Sequence, residues 1–357
     1  MNDLKNLTSD EIHGQISEWD LPAYRAGQIL SWLFEKRVRD VEAMTNLPAL
    51  LRDRLRASYS LHSLECVRKQ GSKDTTQKFL WKLPDGQFIE SVLIPANPAL
   101  YGDASDRHTL CVSSQVGCAY GCRFCASGLE GWKRNLEPFE IVEQVIRSEQ
   151  EGGHKVNNIV FMGMGEPLAN YENLLRALSL LNAPWGLGIG ARKMTLSTSG
   201  LVPRIRDLAR QPLQVRLAIS LHGATDEVRN RIMPVNKKHP LAELVQACRD
   251  YQHGKDRMIT FEYILIEGVN DQIAHADDLG RLCEGLKVKV NLIPYNKVEG
   301  LPWVRPSEKV QEAFAARVRH HGVTATLRRE KGHDIDAACG QLRLKELNVS
   351  GSPPAIE

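Results

Sequence analysis

No apolar run in the chain is long enough to suggest a membrane span. Nor is there an excess of one charge: 46 Lys and Arg face 43 Asp and Glu, a net charge of +3. That balance is too mild to argue for a nucleic-acid partner. The local basic runs Arg192-Lys193, Lys237-Lys238-His239 and Arg328-Arg329-Glu330-Lys331 are weak signals, since such runs are mostly solvated faces. The acidic start Met1-Asn2-Asp3 is unlike a signal peptide. A second C-x-x-C knuckle, which four-cysteine zinc knots usually have, is missing. Eight cysteines, three of them in one motif, fit a reducing cytoplasm better than a disulfide scaffold.

Those three are present at unusually tight spacing, Cys118-x-x-x-Cys122-x-x-Cys125. Thiolates are the usual ligands of iron–sulfur clusters, and a cube of four irons wants four. Three ligands leave one iron with an open position, where a bound molecule can receive an electron. The C-x₃-C-x₂-C pattern marks the radical S-adenosylmethionine enzymes. Cys111, seven residues upstream, would complete a four-cysteine zinc site instead. Three cysteines within eight residues crowd one ion, whereas a cube offers separate corners.

With 357 residues, 42% of them hydrophobic, the chain can bury a sizeable core. Residues 1–60 read as an N-terminal helical module. Thr8 and Glu11 form a capping box, Ile29, Leu30, Leu33 and Phe34 an apolar stripe, and Leu50, Leu51 and Leu55 a further short helix. Residues 61–97 read as a β-hairpin extension around Pro84-Asp85-Gly86. Phe79, Trp81 and Leu83 alternate before that turn. After it, Glu90 shares a face with Phe88, Val92 and Ile94, either at a wet edge or against a site.

From His108 strand and helix patterns alternate. Strands are expected at Thr109–Ser113, Asn158–Met162, Met194–Thr198, Val215–Leu221, Thr260–Ile266, Val288–Pro294 and Val323–Arg328. The expected fold class is α/β: a parallel sheet curling into a partial (βα)6 barrel over residues 98–330, then a tail at 331–357. Chemistry in such folds sits at the C-terminal strand ends. There the chain places Gly163-Met164-Gly165-Glu166-Pro167, Ser197-Thr198-Ser199-Gly200, Ser220-Leu221-His222 and Tyr295-Asn296, a polar ring suited to a ribose, an adenine and an amino acid. In the tail, Cys339 lies between Ala338 and Gly340 with little steric cover; a buried small thiol is the plainer reading.

These motifs, with Cys111-Val112-Ser113-Ser114-Gln115-Val116-Gly117-Cys118 and Asp334–Leu342, resemble in order the RlmN/Cfr family of radical S-adenosylmethionine RNA methyltransferases, over nearly the whole chain. The resemblance implies the radical-SAM type of barrel and a [4Fe-4S] cluster on Cys118, Cys122 and Cys125. It implies S-adenosylmethionine, two per turnover, held by Gly165, Glu166, Ser197, Ser220, Leu221, His222 and Asn296. Cys339 matches a cysteine that is methylated and carries the methyl group. Cys111 matches the cysteine that resolves a covalent RNA–enzyme adduct through a transient disulfide, and Glu90 the residue proposed as proton acceptor at the target carbon.

Gly165-Glu166-Pro167 and Asn291-Leu292-Ile293-Pro294-Tyr295-Asn296 favour the branch that methylates carbon 2 of adenosine in 23S rRNA and tRNA. The segment Ser127-Gly128-Leu129-Glu130-Gly131-Trp132 departs from that branch and keeps carbon-8 methylation open. A metal-binding RNA-binding protein without enzymatic activity is the third alternative. A reductant such as flavodoxin or ferredoxin, a cytoplasmic location and a monomer complete the expectation.

Overall fold

Short apolar stretches and longer amphipathic segments become strands and helices in the computed structural model, which describes residues 1–96, 105–129, 131–298 and 300–328. The strands are β1 (Glu65–Gly71), β2 (Gln77–Lys82), β3 (Phe88–Pro95), β4 (His108–Cys111), β5 (Gln115–Gly117), β6 (Trp132–Asn135), β7 (Asn158–Phe161), β8 (Met194–Thr198), β9 (Arg216–Ser220), β10 (Ile259–Leu265), β11 (Val288–Pro294) and β12 (Thr324–Leu327). One ten-stranded sheet runs β1-β2-β3-β4-β7-β8-β9-β10-β11-β12, and β5 pairs with β6 apart from it. From β4 to β12 all neighbours are parallel, joined by helical crossovers. β1 to β4 pair antiparallel, so the hairpin continues the barrel sheet.

The first crossover shows how the sequence builds the layer. Glu137 and Glu140 form a capping box, Pro138 occupies the first turn, and Gly153 ends the helix Pro138–Gly152 at φ 74°. Its Ile141, Val142, Val145 and Ile146 are buried under the sheet. Each stabilises the fold by roughly 1.5–3 kcal/mol relative to exposure. On the other side the sheet is concave. A cavity of about 510 Å³ is lined at once by Ile94 and Thr109 near one end of the sheet and by Lys289, Asn291 and Arg328 near the other. That enclosure is the lumen of the partial barrel.

The N-terminal capping box of Thr8 and Glu11 is present, and Ile29, Leu30, Leu33 and Phe34 are buried. The helix Tyr24–Leu30 runs on into a π turn at Ser31–Glu35, and a further helix spans Ala49–Ser58. Phe34 meets the Trp185 ring at 5.9 Å, and Lys5 pairs with Glu143 at 2.7 Å. Arg176 grips Glu11 with both guanidinium nitrogens, which holds that carboxyl down at about 2.

Strand β1 was not legible in advance. Its sequence Glu-Cys-Val-Arg-Lys-Gln-Gly is exposed along most of its length, as charged edge strands are. Among the described residues no helix is long and apolar enough to cross a membrane. Cys339 and the rest of the tail lie outside the described residues, as does Glu130 of the Ser127–Trp132 segment.

Candidate active site

The loop from β5 to β6 carries the three clustered cysteines. Gly117 must be glycine: its φ is 72°, and a Cβ would stand 1.9 Å from the Gly131 carbonyl oxygen. Beyond it the Cys118 amide donates to that same carbonyl at 3.1 Å. The Arg123 amide donates to Ile232 at 2.9 Å, and the Trp303 indole donates to the Arg123 carbonyl at 2.7 Å. These bonds anchor the loop on the barrel. Cys118, Cys122 and Cys125 then line one wall of a cavity of about 250 Å³ whose other walls are strand ends.

After β7 the chain must pass close to the β4–β5 backbone. A Cβ on Gly163 would lie 2.6 Å from the Val112 carbonyl oxygen, and one on Gly165 (φ 97°) would lie 2.5 Å from Gln115 Cβ. The glycines let Glu166 reach the cavity, where its amide donates to Gln115 Oε1 at 2.8 Å. Its carboxylate accepts the Ser199 amide at 2.6 Å and the Leu168 amide at 3.0 Å. Burial pushes this carboxyl up from the ordinary range, and the Ser199 and Leu168 amides pull it down.

Ser197 and Ser220, from β8 and β9, face each other at 3.2 Å between oxygens. His222 follows with φ 57°, a left-handed conformation held by its neighbours. Its Nδ1 accepts the Ile264 amide at 3.0 Å, its carbonyl accepts the Asn270 side chain at 2.8 Å, and its ring stands edge-on to Phe124 at 4.9 Å. Burial, then the nearby Arg229 charge, lowers its pKa to about 3. The ring is neutral at physiological pH, with its proton on the Nε2 that the Ile264 bond leaves for it.

Of the residues singled out from sequence, Cys118, Cys122, Cys125, Gly165, Glu166, Ser197, Ser220 and His222 meet around this one cavity. Leu221 is buried beneath it, its amide donating to the Glu262 carbonyl at 3.0 Å, and Asn296 is half-buried beyond β11; neither lines the wall. Cys111 and Glu90 sit apart, buried on β4 and β3. Glu90 is thus no wet-edge residue: it is 2% exposed, and its carboxylate meets Lys78 Nζ at 2.9 Å.

Arg229 and Glu262 escaped the sequence reading. Arg229 is wholly buried and donates to the carbonyls of Ser199, Ser220 (3.1 Å) and Leu221 (2.6 Å) and to Asn236 Oδ1 (2.9 Å). One guanidinium thereby ties together the ends of β8 and β9. Nothing local in Val228-Arg229-Asn230 marks it, because its partners are backbone groups from distant segments. Glu262, a carboxyl in the middle of the apolar strand β10, was in principle visible; it lines both cavities and accepts from Asn291 at 3.0 Å.

The donor set fits an iron–sulfur cube with an amino-acid-bearing nucleoside beside it. Burial pushes the Cys118 thiol up to about 12 and raises Cys122 as well, so these sulfurs ionise at neutral pH only against positive charge such as a metal supplies. Cys118, Cys122 and Cys125 share one cavity with Glu166, Ser197, Ser220 and His222, so thiolate donors and polar strand ends stand together as a cluster and its nucleoside would need.

Comparison with known proteins agrees. The Radical SAM superfamily model matches residues 112–279, and the model of the ribosomal RNA large subunit methyltransferase N-terminal domain matches residues 2–61. The chain is 52% identical over 345 residues to the probable dual-specificity RNA methyltransferase RlmN of Akkermansia muciniphila, covering 96% of each. It is 53% identical to the protein named RlmN 3 of Opitutus terrae, covering 96% of this chain and 94% of that one. The chain belongs to the RlmN family. A crystal structure of a radical SAM methyltransferase from Sphaerobacter thermophilus superposes with a TM-score of 0.89 at 45% identity, covering 96% of this chain and 99% of that one. As an RlmN-family member the chain is a radical S-adenosylmethionine RNA methyltransferase, and the superfamily brings the [4Fe-4S] cluster and S-adenosylmethionine as its cofactors.

Proposed function

We propose that this enzyme methylates carbon 2 of adenosine in 23S rRNA and in tRNA, at the purine beside the anticodon. The observation that carries the reading is the end-to-end likeness to proteins named dual-specificity RNA methyltransferases, at about half of all positions identical. The motifs Gly165-Glu166-Pro167 and Asn291–Asn296 favour carbon 2 over carbon 8, against the departure at Ser127–Trp132.

Cys118, Cys122 and Cys125 hold the cluster, and Gly165, Glu166, Ser197, Ser220, Leu221, His222 and Asn296 hold S-adenosylmethionine. When bound, these cofactors supply the methyl group and the radical that activates it, at two S-adenosylmethionine per turnover. Cys339 carries the methyl group as a thioether. A radical at that methyl adds to carbon 2, which is too electron-poor to attack a sulfonium directly. Glu90 takes the ring proton as the adduct gives up its unpaired electron, for which the cluster would be the acceptor when bound. The Cys111 thiolate then attacks the Cys339 sulfur and breaks its bond to the methylene carbon, which takes up a proton and leaves as the methyl group of the RNA, with a Cys111–Cys339 disulfide behind. Cys111 lies on the last residue of β4, at the carboxyl end of the barrel strands where this step belongs. The protein acts as a cytoplasmic monomer that draws electrons from flavodoxin or ferredoxin.

Nucleoside mass spectrometry of 23S rRNA and tRNA treated with reconstituted enzyme tests the reading. It should give 2-methyladenosine from both RNAs. 8-Methyladenosine would overturn the regiochemistry, and product from one RNA alone would overturn the dual specificity.

A further inference from the structure

We propose that Lys78 is a positioning residue for proton removal from the target carbon, holding the Glu90 carboxylate in place from the neighbouring strand. The inference rests on the role given above to Glu90.

Sheet register carries it. Lys78 on β2 lies opposite Val92 on β3, and Val92 lies opposite Cys111 on β4. Residues opposite one another share a face, as do residues two apart on one strand. Lys78, Glu90, Val92 and Cys111 therefore share one face. It is the lumen face, because Ile94 and Thr109, next in the same alternation, line the lumen cavity. The opposite face of β3 turns to the helix Pro138–Gly152, where the Ser91 hydroxyl donates to Gln144. The two proposed proton- and sulfur-handling residues, Glu90 and Cys111, thus lie on neighbouring strands with a buried ammonium beside the first.

The pair is 0% and 2% exposed, with nitrogen and oxygen 2.9 Å apart. Burying two charges in this way is weak evidence for stability, since well-packed apolar pairs of similar volume often do as well. Its place on the reacting face offers another reason: an ammonium 2.9 Å away fixes where the Glu90 carboxylate presents its oxygens. The Ser113 hydroxyl donates to the Glu90 carbonyl at 2.7 Å and fixes the backbone as well. Other charged groups near β3 are differently engaged. Arg68 of β1 shares the face in the Leu80 row and is exposed. On the helix, Glu140, Glu143, Arg147 and Glu149 lie behind the sheet and pair with Arg134, Lys5, Glu151 and Arg37. In the step itself the carbon-2 C–H bond breaks, the proton passes to a Glu90 oxygen and the bonding pair stays with the ring. Lys78 keeps its own protons throughout.

The test is Lys78→Met and Lys78→Arg in reconstituted enzyme, with RNA carrying protium or deuterium at adenine carbon 2. Lys78→Met should methylate RNA at least about tenfold more slowly, part of the roughly 10²–10⁴-fold that a well-placed acid–base group contributes. Cleavage of S-adenosylmethionine and methylation of Cys339 should persist, and a primary isotope effect absent from the wild type should appear. Lys78→Arg, which keeps the charge, should restore most of the rate. Should Lys78→Met fail to fold, Lys78→Gln, which removes the charge but keeps a polar group, decides in its place by showing a larger isotope effect than wild type. A chargeless variant without an enhanced isotope effect, or one that loses cofactor cleavage and methylation together, overturns the positioning role. A Glu90→Gln enzyme that methylates normally would overturn the role of Glu90 itself.

Discussion

Glu166 and His222 are held at strand ends by backbone amides, whereas Glu90 is held inside the sheet by another side chain. The first arrangement belongs to the β7–β10 wall, where loops leave the barrel and bring the polar groups around the cysteine-lined cavity. The second belongs to the β2–β4 wall, where alternation within strands puts Lys78, Glu90 and Cys111 on one face. On the proposed function the division is one of labour. The strand-end wall binds the cofactors, and the sheet-face wall handles the RNA carbon. Damage to the first should stop cofactor cleavage, and damage to the second should spare it.

The largest effect is expected at the cluster. Cys118→Ala, Cys122→Ala or Cys125→Ala should each remove the bound iron and abolish deoxyadenosine formation, since three ligands leave none to spare. Iron analysis of the anaerobically reconstituted protein checks this, and full iron in any of the three would name another ligand. Cys339→Ala should break the comparison from the other side, keeping iron and cofactor cleavage but yielding no methylated RNA. Transfer of deuterated methyl to RNA by that variant would remove Cys339 from the route.

Arg229→Met tests how the strand-end wall is held. It strands three buried carbonyls and removes a buried charge that they satisfy, so it should destabilise the fold by roughly 3–5 kcal/mol in urea denaturation. A loss under about 1 kcal/mol, the typical net worth of a single hydrogen bond, would show that the strand ends do not depend on it.

The smallest effect is a pH dependence. His222 has a folded-state pKa lowered to about 3, below its unfolded value near 6.5. In that window the unfolded chain binds the extra proton, so this ring's contribution is present above about pH 6.5 and is lost as pH falls toward 3. Stability curves of wild type and His222→Asn should therefore converge on acidification; parallel curves would mean that the ring titrates normally when folded.

The two walls were not equally legible in the sequence. Polar residues that interrupt apolar strands at their carboxyl ends announced Glu166, Ser197, Ser220 and His222, and the seven parallel strands followed from the alternation of short and long apolar patterns. The alternation around Glu90 placed it correctly among apolar neighbours. What it could not supply was the partner, because Lys78 is a cross-strand neighbour fixed by register. Arg229 was hidden for a related reason: its partners are carbonyls, and a carbonyl has no letter in the sequence. Strand β1 was missed because its polar, exposed edge shows no alternation.

The separation of the walls is tested most directly by the RNA bound to Cys111→Ala. With a resolving role, this variant keeps its cluster, cleaves S-adenosylmethionine and forms the carbon–carbon bond, then stops with Cys339 joined to adenine. It should purify with RNA that survives denaturant and leaves, after nuclease digestion, a nucleotide adduct on the Cys339 peptide. The Cys111→Ala/Cys339→Ala double variant should lose that RNA. Loss of iron from Cys111→Ala, or an inactive protein free of covalent RNA, would contradict the resolving role and make Cys111 a metal ligand or core thiol.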